Sequence, residues 1–305
     1  MFRGGETVTQ SIYEIYDERF NACIRKDARP DVLWSGGRWC EGPAYFPAGR
    51  YLIWSDIPND RLMRWDECSG QVGVFRQPAN YPNGNTVDRL GRLITAEHGR
   101  RVTRTEIDGS LTVLADSYQG KRLNSPNDVV VKSDGSIWFT DPPYGILSDY
   151  QGNKGDSELG ANYIFRIDPQ SGALDVVCDD CDRPNGLAFS PDESKLYVAD
   201  SGLSARNMKV YDVAADGTLH KGRVFAPCTA GRFDGFRIDE NGRLWSAADD
   251  GVHCHDPDGT LIGKIVFPEP LSNVVFGGPK RNRLFVTGAT SVYCIWLTVN
   301  GLKTF

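Results

Sequence analysis

RPNGLAFSPDESKLYVADS, residues 183–201, holds the pattern that decides the fold. Asn185 stands beside Gly186, a short apolar run follows over 187–189, the chain turns over 190–194, and a second aromatic and aliphatic strand closes on Asp200. Five further copies of this unit surround it: EGPAYFPAGRYLIWSD from 41, NGNTVDRLGRLITAEH from 83, SPNDVVVKSDGSIWFTD from 125, FDGFRIDENGRLWSAAD from 233 and LSNVVFGGPKRNRLFVTG from 271. Strand, tight turn, strand, written in β-branched and aromatic residues, is the grammar of an antiparallel meander. Third strands follow in RLMRWD, YIFRID and MKVYDV, and fourth strands in QVGVFRQP, LTVLAD, ALDVVCD, GRVFAP and GKIVFPE. The polar positions 41, 83, 127, 185, 234 and 273 are separated by 42, 44, 58, 49 and 39 residues. That period matches the roughly 40–50 residues of a four-stranded propeller blade.

The spacing predicts an all-β, six-bladed β-propeller over residues 31–305, a single domain, with residues 1–30 as an N-terminal appendage. The one long gap carries PPYGILSDYQGNKGDSELGANY, read as an insertion between the second and third strands of blade three, lying over one mouth of the channel. The last blade runs out after SVYCIWLTVNG, while DVLWSGG (31–37) sits unpartnered before Glu41. The N-terminal strand is therefore expected to close the last blade, which removes the exposed edges of an open array. A short helix is expected around SIYEIYDERFNACI (11–24). The regular period argues against a β-sandwich or two unrelated domains.

Composition narrows the function. A formal net charge of -6 gives a nucleic acid no basic face to hold. No run of eighteen apolar residues offers a membrane span. The opening MFRGGETVTQSIYEIYDERF lacks the apolar segment of a signal peptide, so a cytoplasmic protein is expected unless a precursor has been processed. The cysteines at 23, 40, 68, 178, 181, 228, 254 and 294 are expected as free thiols, since a chain this long needs no staples. Cys178 and Cys181 make a C-D-D-C pair, but no second pair or histidines follow at zinc spacing.

In a propeller the first strand of each blade lines the channel. Glu41, Asn83, Asn127, Asn185, Asp234 and Asn273 hold equivalent places near the start of that strand, so the repeat brings six oxygen-bearing side chains to one ring. Converging carboxylate and amide oxygens, without thiols or paired histidines, suit a hard cation such as Ca2+, Mg2+ or Mn2+. Asn-Gly and Asp-Gly are also turn formers. Turn chemistry alone would have permitted Ser, Lys or Gly at some of the six positions.

CEGPAYFP, NSPNDVVVKSDGSIWFTDPPYG, RPNGLAFSPDESKLYVADS and FDGFRIDENGRLW resemble the signatures of the gluconolactonase / senescence marker protein / luciferin-regenerating enzyme family, over roughly residues 31–300. The FTDPPYG stretch is most similar to bacterial gluconolactonases. The resemblance implies a six-bladed propeller with one catalytic divalent metal, Ca2+ first and Zn2+, Mg2+ or Mn2+ as alternatives, acting on lactones or, in relatives, on phosphate-type esters. It makes Glu41, Asn185 and Asp234 metal ligands, and Asn127 a residue that reaches metal or substrate. Animal members carry Arg two residues before that Asn, where this chain has Ser125.

A lactone carbonyl beside such a cation is polarised, and water attack then needs a base. The resemblance favours Asp234 for that role. Asp200, at the end of the second strand of blade four, and His98, at what reads as the matching end in blade two, are further catalytic candidates. Asp141 and Tyr144 of TDPPYG are expected to line the substrate site with Asn127. The expected partner is a small sugar lactone, with no nucleic acid or membrane, and the chain a monomer or homodimer. The competing readings are a metal-dependent esterase or phosphotriesterase on the same scaffold, and a non-catalytic propeller that binds proteins with an apolar plug in its channel.

Overall fold

The computed structural model describes residues 11–303. Six antiparallel sheets stand around an axis as a six-bladed β-propeller, and Ser117–Tyr118 pairs with Lys121–Arg122 as a separate two-stranded ribbon. Blade one runs Cys40–Phe46, Tyr51–Asp56, Arg61–Asp66 and Val72–Arg76, and the next three blades repeat that order. The first strands touch one another in cyclic order, the sixth returning to the first. Ring closure is made by Asp31–Ser35, which pairs antiparallel with Ser291–Trp296 so that Asp31 faces Cys294. The N-terminal strand thus completes the last blade, as the repeat pattern requires.

The appendage holds a strand and, within the span of the expected helix, one short 3-10 helix. Tyr13–Ile15 pairs with Leu261–Val266 as a fifth strand on blade five, and Glu18–Ala22 is a 3-10 turn capped by Asp17. Alternating apolar Tyr13 and Ile15 satisfy a strand edge, where a lone helix of this length would be marginal. The turn seats Phe20, fully buried, against Trp245 at 6.1 Å between ring centroids. Gly263 makes room, since a β-carbon there would come within 2.2 Å of the Phe20 ring. Residues 1–10 of the appendage and 304–305 of the expected propeller span lie outside the described residues.

The apolar core is divided. Six clusters of buried side chains occupy the six interfaces between neighbouring blades, among them Trp54 and Phe285 between blades one and six, and Trp138 and Leu196 between three and four. Each sheet buries both faces against its neighbours, so the hydrophobic driving force closes the ring and leaves the axis free for polar groups.

Candidate active site

At the ring positions the first strands are irregular. The register shifts between Glu41 and Ala44, Pro82 and Asn85, Pro184 and Leu187, and Leu271 and Asn273. Such bulges bend a strand and re-aim a side chain. Gly42, Gly84 and Gly186, each following a ring residue, are strand residues that permit close approach. A β-carbon on Gly84 would lie 2.5 Å from the Asn127 carbonyl oxygen, and one on Gly186 2.5 Å from that of Asp234. Asn-Gly here serves crowding at the axis, with no hairpin turn at any of these pairs.

Glu41, Asn83, Asn127, Asn185 and Asp234 line one cavity of about 260 Å3 at this end of the axis. Asn273 stands behind, donating to Glu41 Oε2 at 3.0 Å, while its own Oδ1 accepts from the Val274 N–H at 2.8 Å. The Gly42 N–H is a second donor to Glu41 Oε2. Burial pushes the Glu41 carboxyl well up, and the facing Asp234 and Asp128 add to the shift. Asp234 is pushed up to about 7, chiefly by burial, with a bond from Asn185 pulling the other way. Asp128 lies at the next position along its strand and is paired with Arg237 at 3.2 Å.

The donor set fits a divalent cation. Two carboxylates, Glu41 and Asp234, line the same cavity, an arrangement whose cost a bound positive charge offsets. Asn83 Oδ1 is buried without a hydrogen-bond partner, and the Tyr144 hydroxyl, on the same cavity, has none either. Among the described residues neither atom is engaged, so both can bond a group that enters the cavity.

The other sequence candidates divide. Tyr144 lines the cavity, brought there by the insertion in blade three together with Gln151. Ser125, which replaces the arginine of animal members, anchors this insertion: its Oγ accepts from the Gly145 N–H at 2.9 Å and donates to the Pro142 carbonyl. Asp141 is buried off the cavity, its Oδ2 accepting the Asn124 N–H at 2.8 Å. Asp200 is also turned away. Its two oxygens accept the N–H groups of Asp182 and Arg183 at 3.0 and 2.9 Å. Asp56 plays the same part for the Arg38 N–H, so the acid ending the second strand latches the segment that enters its blade. His98 is not a free proton carrier. Its Nδ1–H donates to the Gln151 carbonyl at 2.8 Å, which leaves Nε2 to accept from Asn83 Nδ2 at 2.7 Å. Burial holds the imidazole neutral, its pKa lowered to about 4. Its geometry fixes the Asn83 amide with the oxygen free.

Trp39, Arg232, Asp249 and Leu271 complete the wall. Trp39, Arg232 and Leu271 stand two residues before Glu41, Asp234 and Asn273, where the chain enters each blade. Asp249 follows the strand end by one residue, the position that His98 holds in blade two. A larger cavity of about 600 Å3 opens at the other end of the first strands, lined by Val131, Phe189, Phe276 and Arg237 among others. It contains none of the ring residues.

Fold and ring together define a six-bladed propeller with a polar cavity on its axis, built from the entry ends of the innermost strands. The chain belongs to the SMP-30/Gluconolactonase/LRE-like family, whose model matches residues 39–290. A gluconolactonase of Zymomonas mobilis is 33% identical over 303 residues, covering 91% of this chain and 83% of that protein. A pentonolactonase of Haloferax volcanii is 30% identical, covering 82% and 81%. The structure of a gluconolactonase from Xanthomonas campestris superposes with a TM-score of 0.89 at 41% identity, covering 93% of this chain and 94% of that one.

Proposed function

We propose that the axial site hydrolyses a sugar lactone to the aldonic acid with the help of one divalent cation, Ca2+ first. The observation that carries this reading is the convergence of Glu41, Asn127, Asn185 and Asp234 on one small polar cavity. Relatives that act on gluconolactone and pentonolactone support it. Glu41, Asn185 and Asp234 would hold the cation, with Asn127 and the free Asn83 oxygen as the further donors. When bound, the cation supplies positive charge that polarises the lactone carbonyl and stabilises the developing oxyanion. A cavity of this size suits a single sugar ring, being at the small end of ligand sites.

Asp234 is the base. Its carboxylate opens on the same cavity as the other donors, so a water that enters there meets a group able to accept its proton. The new bond joins water oxygen to the lactone carbon. As the bond from that carbon to the ring oxygen breaks, the proton on Asp234 passes to the departing oxygen, leaving a hydroxyl and a carboxylic acid. The unpartnered Tyr144 hydroxyl is placed to bond a sugar hydroxyl, and Trp39 and Leu271 offer apolar surface to a ring face. The guanidinium of Arg183 lies 5.8 Å from the Tyr144 ring centroid and steadies it from outside.

The test is a pH-stat assay of gluconolactone, a pentonolactone and a phosphotriester, with and without chelator and with metal restored. Chelation should abolish lactone hydrolysis and Ca2+ restore it. Glu41→Gln should bind the ion at least about tenfold more weakly, since one of two carboxylates is gone. Chelator-resistant turnover, or faster turnover of the triester than of either lactone, would overturn the proposal.

A further inference from the structure

Away from the axis, the segment joining blade three to blade four gathers a second set of ligand atoms. Cys178 ends the outer strand Leu174–Cys178, and Asp180 and Cys181 follow before the inner strand Pro184–Phe189 begins. One sulfur from each cysteine and one Asp180 oxygen lie within 4.8 Å of one another. Cys178 Sγ stands 3.2 Å and Cys181 Sγ 3.8 Å from Asp180 Oδ1. Ligands around a tetrahedral zinc ion, at about 2.3 Å for sulfur and about 2.1 Å for oxygen, lie about 3.6 Å apart. The two observed separations bracket that value. Both cysteines are free thiols and buried, whereas Asp180 is exposed and leaves a path from solvent.

We propose that Cys178, Asp180 and Cys181 form a second metal site, for one thiophilic divalent cation of the zinc class, separate from the axial ring. C-D-D-C by itself lacks ligands. The fold supplies the missing oxygen donor and its supports. The Tyr211 hydroxyl donates to Asp180 Oδ1 at 2.5 Å and stands 3.3 Å from Cys181 Sγ, so it orients two of the three ligands. Lys209 Nζ lies 3.3 Å from Asp180 Oδ1 and 3.6 Å from Asp200 Oδ2. Two thiolates and one carboxylate carry three negative charges, of which one divalent cation cancels two, and the Lys209 ammonium, shared between Asp180 and Asp200, offsets part of the rest. That balance matters where the sulfurs are buried. The fourth position is left to water or to the Tyr211 oxygen, and metal binding there releases the two thiol protons to solvent.

The bound ion would fasten the connector that ends at Asn185, joining the outer strand of blade three to the third strand of blade four, Asn207–Val213, through Tyr211. Its role is structural, a clasp between blades.

The test uses the reduced, metal-free full chain titrated with Cd2+, whose thiolate charge-transfer absorption reports sulfur ligands and is blind to the oxygen ring. One equivalent should saturate the band, and Zn2+ should displace it. Cys178→Ser and Cys181→Ser should lose it, and Asp180→Asn should weaken binding at least about tenfold. Asp180→Asn keeps both thiols, so it stands if a serine variant fails to fold, with circular dichroism as the check. In the Glu41→Gln background Zn2+ should raise the melting temperature, and Cys181→Ser should remove that rise. No band, a band that survives Cys181→Ser, or a pair that closes to a disulfide in air while showing no metal affinity under reduction would each overturn the proposal.

Discussion

Gly235→Ala probes the axis at its tightest point. The added β-carbon would sit 1.9 Å from Asn273 Cγ, well inside contact distance. Asn273 cannot swing away freely, because its oxygen holds the Val274 N–H at 2.8 Å and its amide holds Glu41 Oε2 at 3.0 Å. The Gly235 N–H in turn donates to the Ser272 carbonyl at 2.6 Å, so the two strands cannot separate without losing that bond. Overpacking of this kind costs about 1–3 kcal/mol of stability. Displacing Asn273 also removes a hydrogen bond to a charged group, worth about 1.5–3 kcal/mol, and leaves Glu41 with one donor. If Glu41 orientation governs catalysis, that corresponds to a loss of roughly 10- to 150-fold in kcat/KM. The assay pairs urea unfolding with lactone turnover in Gly235→Ala, Asn273→Ala and the double variant. Removing the Asn273 side chain clears the space, so the double variant should be more stable than Gly235→Ala alone, with coupling of at least about 1 kcal/mol. Activity should not return, since the Glu41 partner is still missing. Additive unfolding energies, or full activity in Gly235→Ala, would refute the crowding account.

Asp234→Asn keeps shape and one oxygen but cannot accept the proton, so turnover should fall about 10²–10⁴-fold while metal remains partly bound; metal-saturated turnover within threefold of about wild-type rate would remove Asp234 as the base. Asp141 has its pKa raised by burial from 3.8 to about 7. Below about pH 4 folded and unfolded states both hold its proton; between there and about 7 only the folded state does, so its contribution to stability falls as pH rises through that window. Asp141→Asn should therefore gain stability over wild type at pH 8 by up to about 4 kcal/mol, with little gain at pH 4, measured by urea midpoints; equal differences at both pH values would show that the carboxyl is not held protonated. Removing residues 1–38 takes away the closing strand Asp31–Ser35 and buried Phe20, and should cost at least about 3–5 kcal/mol; an unchanged melting curve would contradict the closure.

The sequence by itself determined the repeat, and with it the six blades, the strand that closes them and the ring positions 41, 83, 127, 185, 234 and 273. Those properties follow from strand period and turn spacing, which are local and recur six times. It also placed the insertion before Tyr163 over the site, since polar Gly- and Asp-rich chain cannot enter a sheet. The tertiary structure decided which polar groups are free. Asp200 and Asp141 look like catalytic acids in the chain, yet both Asp200 oxygens and Oδ2 of Asp141 are taken by backbone N–H groups of the segments entering their blades. His98 reads as the partner of Asp200, but the pairing sets Glu97 opposite Pro82 and Asp200 opposite Pro184, so His98 corresponds to Ser201 and Asp249. One residue of register turns a side chain to the other face. Arg232, Trp39 and Leu271 reach the cavity because the first strands converge on the axis, and Asp180 meets two sulfurs because a connector folds back beside Tyr211. These meetings depend on chain segments brought together by closure of the ring, and no local pattern encodes the distance between them.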